Sequence, residues 1–235
     1  MQRVLPPKPP LSQFACALDR WSAQGGLVLL YGSEDVLAYA LLAIASLLAK
    51  GEHVVFIDSA NTVNPFLIAE VATRMNRQPK ELLDCLHISR TFTVHQLEAL
   101  ITERIARALH TYASRILIAS GFLHNLYDED VAPREAWRIF RKAVAHLRAL
   151  ADAGTLVLVV CPTPAARRSE PGRTIRLRDR DGLLDALIAT ADRVVKLVTS
   201  TTSATLSTGL SLEKPVRVRS AAKRLDHLSG LAYET

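Results

Sequence analysis

Four short, mostly apolar runs constrain the fold of this chain more than any other sequence feature. They are LVLLY at 27–31, HVVFID at 53–58, RILIAS at 115–120 and TLVLVVC at 155–161. Continuous apolar runs of this length are typical of strands that are buried on both faces of a parallel sheet. The longer stretches between them have helical periodicity, so the sequence predicts an α/β fold, with a mainly parallel sheet and helices on both faces.

The two ends of the chain read differently from this alternating pattern. Residues 1–10 contain four prolines and are interpreted as a flexible lead-in to a single domain over 11–235. LHIS at 86–89 predicts one more short strand. Near the C-terminus, RVVKLVT at 193–199 predicts a strand, the Ser/Thr-rich stretch 200–208 a loop or an edge turn, and PVRVRS at 215–220 a last strand. An antiparallel hairpin is therefore expected at one edge of the sheet.

Composition excludes several classes of protein. Of 235 residues, 49% are hydrophobic, which is too many for a disordered chain. No apolar run approaches the ~20 residues of a membrane-spanning helix, so no membrane association is expected. The cysteines Cys16, Cys85 and Cys161 form no CxxC pair, so each is expected to be a small buried side chain in a cytoplasmic protein, and neither a disulfide nor a metal site is predicted.

The order of the motifs resembles that of a known family. GGLVLLYG, then a helix, then FIDSANTVNPFLIAEVA at 56–72 and HISRTFTVHQLEALI at 87–101 resemble the ATPase core of the RecA-type recombinases, with the archaeal and eukaryotic branch the closer match. The resemblance covers roughly residues 18–200 and lacks the family's N-terminal DNA-binding domain. It implies a RecA-like P-loop NTPase fold.

The phosphate-binding loop is the first departure from that family. Its pattern, G-x-x-x-x-G-K-[ST], supplies backbone amides, a lysine and a magnesium-binding hydroxyl to the nucleotide. Only the first glycine remains here, and Glu34 and Asp35 place two carboxylates where a triphosphate would lie. Ser33 is expected to cap the helix, and the two carboxylates to complement its dipole, so this helix start is not expected to bind an anion. The residues on the pattern are Gly32, Ser33, Glu34, Asp35, Val36, Leu37, Ala38 and Tyr39.

Other catalytic positions of the family are also replaced. The resemblance puts Ala60 at the position of the catalytic glutamate, Ala119 at that of the magnesium-binding aspartate, and 162–163 at the Asn-Gln sensor. Asp58 remains, and it is expected to cap the loop through 59–61. Phosphoryl transfer depends on these groups together, so no catalytic residue and no cofactor is predicted.

Positive charge is concentrated in one segment. The chain has 29 Lys and Arg against 23 Asp and Glu, a net charge of +6, and 162–180 alone carries six arginines against two carboxylates, a net +4. In the family that this chain resembles, the loop after the sensor strand is the second DNA-binding loop. The segment contains no aromatic residue, and a solvated loop or a salt-bridge partner for a neighbouring subunit is the alternative interpretation. The candidate DNA contacts are Arg167, Arg168, Arg173, Arg176, Arg178 and Arg180.

These observations lead to three hypotheses about function. The first is a non-catalytic RecA-like paralogue that assists DNA recombination or repair, with single-stranded DNA and a recombinase, another protein or a second copy as partners. The second is a protein-interaction module on the same fold that does not bind DNA. The third is an unconventional nucleotide-binding ATPase.

Overall fold

Seven strands form one sheet in the computed structural model, which describes residues 9–163, 180, 182–202 and 205–214. The sheet order is β3-β2-β4-β5-β1-β6-β7. All neighbours are parallel except β6 and β7, which form an antiparallel pair at one edge. The strands are β1 (Gly26–Gly32), β2 (Val54–Asp58), β3 (Leu86–Arg90), β4 (Ile116–Ser120), β5 (Leu156–Pro162), β6 (Arg193–Thr202) and β7 (Thr205–Lys214).

Helices connect the parallel strands. A π-helical turn at Leu100–Arg104 joins α5 and α6 into one long helical segment, and a short 3₁₀ turn at Asn125–Tyr127 follows β4. The helices are α1 (Pro9–Gln24), α2 (Val36–Leu48), α3 (Pro65–Arg74), α4 (Pro79–Leu83), α5 (Val94–Ala99), α6 (Ile105–Thr111), α7 (Pro133–Asp152) and α8 (Gly182–Thr190).

The helices divide between the two faces of the sheet. Helices α1 to α4 pack on one face together with Val28, Phe56 and Ile118, and α5 to α8 pack on the other with Leu29, Ile57 and Ala119. Successive residues of each strand alternate between these faces. We call them the α2 face and the α7 face. The predicted α/β fold, with helices on both faces and an antiparallel edge, is confirmed.

The antiparallel edge is where the sequence prediction was partly wrong. Residues 200–208 were expected to be a loop or an edge turn, but most of them are strand: β6 extends to Thr202 and β7 begins at Thr205, with Thr199 opposite Thr208. Threonine is β-branched and favours strands, so the composition that suggested a loop also suits a hairpin. The predicted strand at 215–220 lies outside the described residues.

Two smaller expectations also changed. The first helix begins at Pro9, inside the segment 1–10 that was interpreted as a flexible lead-in. Cys161 is buried as expected and Cys85 partly so, whereas Cys16 is exposed, and none of the three forms a disulfide. Among the described residues, no helix is long and apolar enough to cross a membrane.

Buried charges tie the elements together at the amino end of the sheet. Asp192, before β6, accepts a hydrogen bond from Leu27 N at 2.8 Å and pairs with Arg148 of α7 at 2.9 Å. Arg193 donates to Gly25 O and to the Gln24 side chain. These contacts hold the amino ends of β1 and β6 together and attach them to α7.

Candidate functional site

The crevice between β1 and β5 is where an open α/β sheet of this topology would bind a ligand. The helix after β1 lies on the α2 face, whereas the helix after β5 lies on the α7 face. Ligands bind where such connections diverge, outside the carboxyl ends of the strands. The ladder between these two strands continues to their carboxyl ends, where Thr163 N donates to Gly32 O at 2.6 Å.

The loop after β1 is too short to surround a phosphate. Only three residues, 33–35, separate the strand from α2, and Val36 N already donates to Ser33 O at 2.9 Å. Asp35 precedes the helix in a helical conformation and makes no capping hydrogen bond with its side chain. Glu34 and Asp35 are exposed, so two carboxylates lie at the positive end of the helix dipole, as the sequence predicted.

Gly32 has a structural reason to be glycine. Its φ is +152°, and an added Cβ would lie 2.1 Å from the carbonyl oxygen of Leu197 in β6. A side chain cannot fit there without separating β1 from β6. The glycine that matches the phosphate-loop pattern is therefore required by packing within the sheet.

Tyr39, at the position of the magnesium-binding hydroxyl, points into the core. It is 5% exposed and packs against Phe14 of α1, with ring centroids 5.8 Å apart. Its hydroxyl is buried without a hydrogen-bond partner, and burial raises the pKa of the phenol above its ordinary value. Ala38, at the lysine position, is exposed and carries no charge.

Asp58 is fully buried and caps the loop that follows β2. Its carboxylate accepts hydrogen bonds from Thr62 N at 3.1 Å and Val63 N at 3.2 Å, and Arg90 of β3 approaches it at 3.4 Å. The predicted capping role is correct in kind, but the amides lie one to two residues beyond the expected 59–61. The carboxylate is occupied by its own loop and by Arg90.

Ala119 lies in β4, the strand next to β2 in the sheet. Ala119 of β4 was assigned to the magnesium-facing position, but its side chain is in the core on the α7 face. Alternation along β4 puts the next residue, Ser120, on the α2 face, where a nucleotide at the start of α2 would lie. Neither Ala119 nor Ser120 carries a carboxylate that could hold magnesium, and the assignment of the family's aspartate to Ala119 stays a prediction.

Ala60, at the catalytic glutamate position, fills a contact between two loops. An added Cβ at Gly121 would lie 2.5 Å from Ala60 Cβ, and Ser59 N donates to Ser120 O at 2.9 Å. The loops after β2 and β4 therefore touch directly.

A buried polar network at this edge was missed by sequence reasoning. Thr91 Oγ1 donates to Ser59 Oγ at 3.0 Å, and Asn125 Nδ2 donates to Thr91 Oγ1 at 3.2 Å. Thr91 and Asn125 are 1% and 5% exposed. Each residue type is common in loops, so no sequence pattern distinguishes this network. It links the ends of β2, β3 and β4, and it contains no ionisable group.

The arginine-rich segment begins and ends at the carboxyl edge of the sheet. Near the start of the segment, Thr163 N donates to Gly32 O. At its end, the last arginine, Arg180, is bonded to the turn after β4. Arg180 is 1% exposed, so its prediction as a DNA contact is wrong. The other predicted contacts lie outside the described residues: Arg167, Arg168, Arg173, Arg176 and Arg178.

Within the described ranges, no group of three or more His, Cys, Asp or Glu side chains is placed to share a metal ion. A scan against protein-family models gives no match, and a search of curated proteins gives none either.

Proposed function

We propose that this chain is a RecA-like paralogue without ATPase activity, which acts in the cytoplasm and assists DNA recombination or repair by binding single-stranded DNA. The observation that carries the proposal is that the arginine-rich segment departs from and returns to the carboxyl edge of a parallel α/β sheet. This is the edge where such sheets bind ligands.

The geometry of the degenerate site supports the absence of ATP chemistry. The β1–α2 loop has three residues, the lysine position is Ala38, and the β4 position that faces α2 is Ser120. Phosphoryl transfer needs positioned cations and a metal that neutralise the developing charge. The two exposed carboxylates at the start of α2 would instead add negative charge beside a bound phosphate.

The charge of the segment supports a polyanionic ligand. Without Arg180, which is buried, five arginines remain between residues 164 and 179 against Glu170 and Asp179. Arginines contact phosphates and stack on bases, and contacts with phosphates release counterions. The affinity for a single strand is therefore expected to fall steeply with salt.

The test is a salt titration of binding to a fluorescently labelled oligo-dT, measured by anisotropy. A variant with Arg167, Arg168, Arg173 and Arg176 changed to Ala is expected to lose most of its affinity at low salt. The slope of log K against log salt should become shallower by up to about 3, since each phosphate contact contributes roughly 0.7.

A matched variant removes four arginines elsewhere. Arg74, Arg104, Arg107 and Arg115 are exposed and lie outside the segment, and their change to Ala should leave the slope close to that of the wild type. Equal losses in both variants would mean that only net charge matters, and no binding at low salt would refute the proposal.

A second function, docking to a protein without DNA, is favoured by a different observation. Strand β3 is at the free edge of the sheet, its residue Ile88 is 38% exposed, and Phe92 just after it is 65% exposed. Phe66 in α3 is 82% exposed. Exposed apolar side chains beside an unpaired strand are typical of protein-interaction surfaces.

Purification of the native complex after nuclease treatment separates the two functions. If docking is the function, one defined partner remains bound in stoichiometric amount. That partner is lost on Phe92→Ser but kept on Leu212→Ser, since Leu212 is 57% exposed in β7, at the opposite edge of the sheet. A complex that needs nucleic acid would favour the first function.

A further inference from the structure

Arg180 is a buried cation without a carboxylate partner among the described residues. Its guanidinium donates from Nη1 to Leu126 O at 3.0 Å and to Asp128 O at 2.5 Å, and from Nη2 to Val131 O. Its Nε is buried and has no hydrogen-bond partner among the residues that the structure describes. Burying a charge without an opposite charge is costly unless hydrogen bonds compensate for lost water.

The planar guanidinium explains why this residue is an arginine. It directs several N–H groups in fixed directions, so a single side chain can bind three carbonyls of one turn, which a lysine ammonium does less well. The interaction is reciprocal, because the hydroxyl of Tyr127 in the same turn donates to Arg180 O at 3.3 Å. Arg180 and the 126–131 turn are thus joined through both side chain and main chain.

A phosphate has no access to this side chain. Arg180 is 1% exposed, and the turn that covers it carries exposed carboxylates at Asp128, Glu129 and Asp130. Its role must therefore be different from that of the arginines before it. In the sequence, Arg178 and Arg176 precede Arg180 by two and four residues.

We propose that Arg180 is a positioning residue, which anchors the C-terminal end of the arginine-rich segment to the 126–131 turn and so determines where the preceding arginines meet a nucleic-acid phosphate backbone. This rests on the proposed function for its ligand, while the anchoring itself does not need DNA.

Arg193 provides a matched control. It is also a buried arginine, 4% exposed, with an unpartnered Nε and a guanidinium bonded to a carbonyl, Gly25 O. It lies at the amino end of the sheet, whereas Arg180 is attached at the carboxyl end. Arg180→Met and Arg193→Met therefore remove similar buried cations, and only the first is expected to affect the segment.

The first experiment is limited trypsin digestion of the full chain without DNA, followed by mass spectrometry. Arg180→Met is expected to speed cleavage at the arginines of 167–178 about tenfold relative to the wild type, and Arg193→Met to leave that rate unchanged. Arg180→Lys keeps the positive charge but loses the planar guanidinium, so its cleavage rate should be intermediate. An unchanged rate in folded Arg180→Met or Arg180→Lys would overturn the anchoring.

The second experiment measures oligo-dT affinity across salt. Arg180→Met should weaken binding about tenfold, or about 1.4 kcal/mol, with the salt slope unchanged, whereas Arg173→Ala should reduce the slope by about 0.7. A slope reduced by Arg180→Met, or unchanged affinity in the folded variant, would overturn the positioning role. If the wild type binds no oligo-dT, the proposed function fails, and the digestion alone decides whether Arg180 anchors the segment.

Discussion

Gly32 is the residue of the phosphate-loop pattern that this chain keeps, and its neighbours show why. The close approach of Leu197 O leaves no space for a side chain. We expect Gly32→Ala to lower the free energy of unfolding by about 2 kcal/mol more than Gly51→Ala, measured by urea denaturation. Gly51 has φ +81° and nothing within 4 Å of an added Cβ, so it controls for backbone strain alone. Equal losses would show that the contact with β6 does not require glycine.

The stability of the fold should depend on pH through His87. Its Nε2 lies 2.9 Å from Nδ1 of His53, an arrangement that needs one donor and one acceptor. Burial, and then the charge of His53, lower the pKa of His87 below its ordinary 6.5. Stability should therefore be complete above pH 6.5 and fall as the pH drops through 6.5 toward the lowered pKa.

Thermal unfolding at a series of pH values tests this. The wild type should lose stability between about pH 7 and pH 5, and His87→Gln should lose less over the same interval. His110→Gln is the comparison, since His110 is exposed. If His87→Gln and the wild type lose stability in parallel, the pair is not the source of the pH dependence.

At the scale of elements, a negative charge at the start of α2 is expected to stabilise that helix. Asp35 lies at the positive end of the helix dipole and makes no capping hydrogen bond through its side chain, so its contribution is electrostatic. Asp35→Asn should lower the free energy of unfolding by about 0.3–1 kcal/mol at low salt, and by less at high salt. Glu52, just beyond the C-terminal end of α2, has the opposite dipole environment, so Glu52→Gln should cost nothing. A loss from Glu52→Gln as large as that from Asp35→Asn would contradict this.

The elements also show what a sequence can predict. Long apolar runs located β1, β2, β4 and β5 nearly to the residue, because burial on both faces leaves few alternatives. Residues 200–208 were harder, since Ser and Thr occur in turns and Thr also in strands. Which face Ala119 occupies was not predicted, because a motif fixes spacing but not the face of the sheet, and the face changes with each residue.

At the scale of the molecule, charges at the two ends of the sheet have different roles. At the amino end, Asp192 is buried and joins β1 to α7 through Leu27 N and Arg148. Asp192→Asn should cost about 3 kcal/mol in urea denaturation. Asp152 pairs with the same Arg148 but is 56% exposed, so Asp152→Asn should cost less than about 1 kcal/mol. Similar costs for both variants would remove the distinction between the buried and the exposed pair.

The carboxyl end carries the candidate site, and the sequence predicted it unevenly. That no lysine, hydroxyl-bearing Ser or Thr, or glutamate stands at the positions which the resemblance indicates could be read from the sequence. The burial of Arg180 and the Ser59–Thr91–Asn125 network could not, because they depend on contacts between loops that are far apart in sequence. A charge count treats Arg180 like its neighbours, whereas the fold separates it from them.

The most direct test of the whole account is the affinity for labelled oligo-dT at low salt, measured with and without ATP and magnesium, with magnesium tripolyphosphate as the ionic control. A nucleotide that bound the fold and altered its DNA site would change that affinity. We predict binding to oligo-dT at low salt whose affinity ATP does not alter beyond the tripolyphosphate control. Absent binding, or an affinity that shifts with ATP alone, would contradict it.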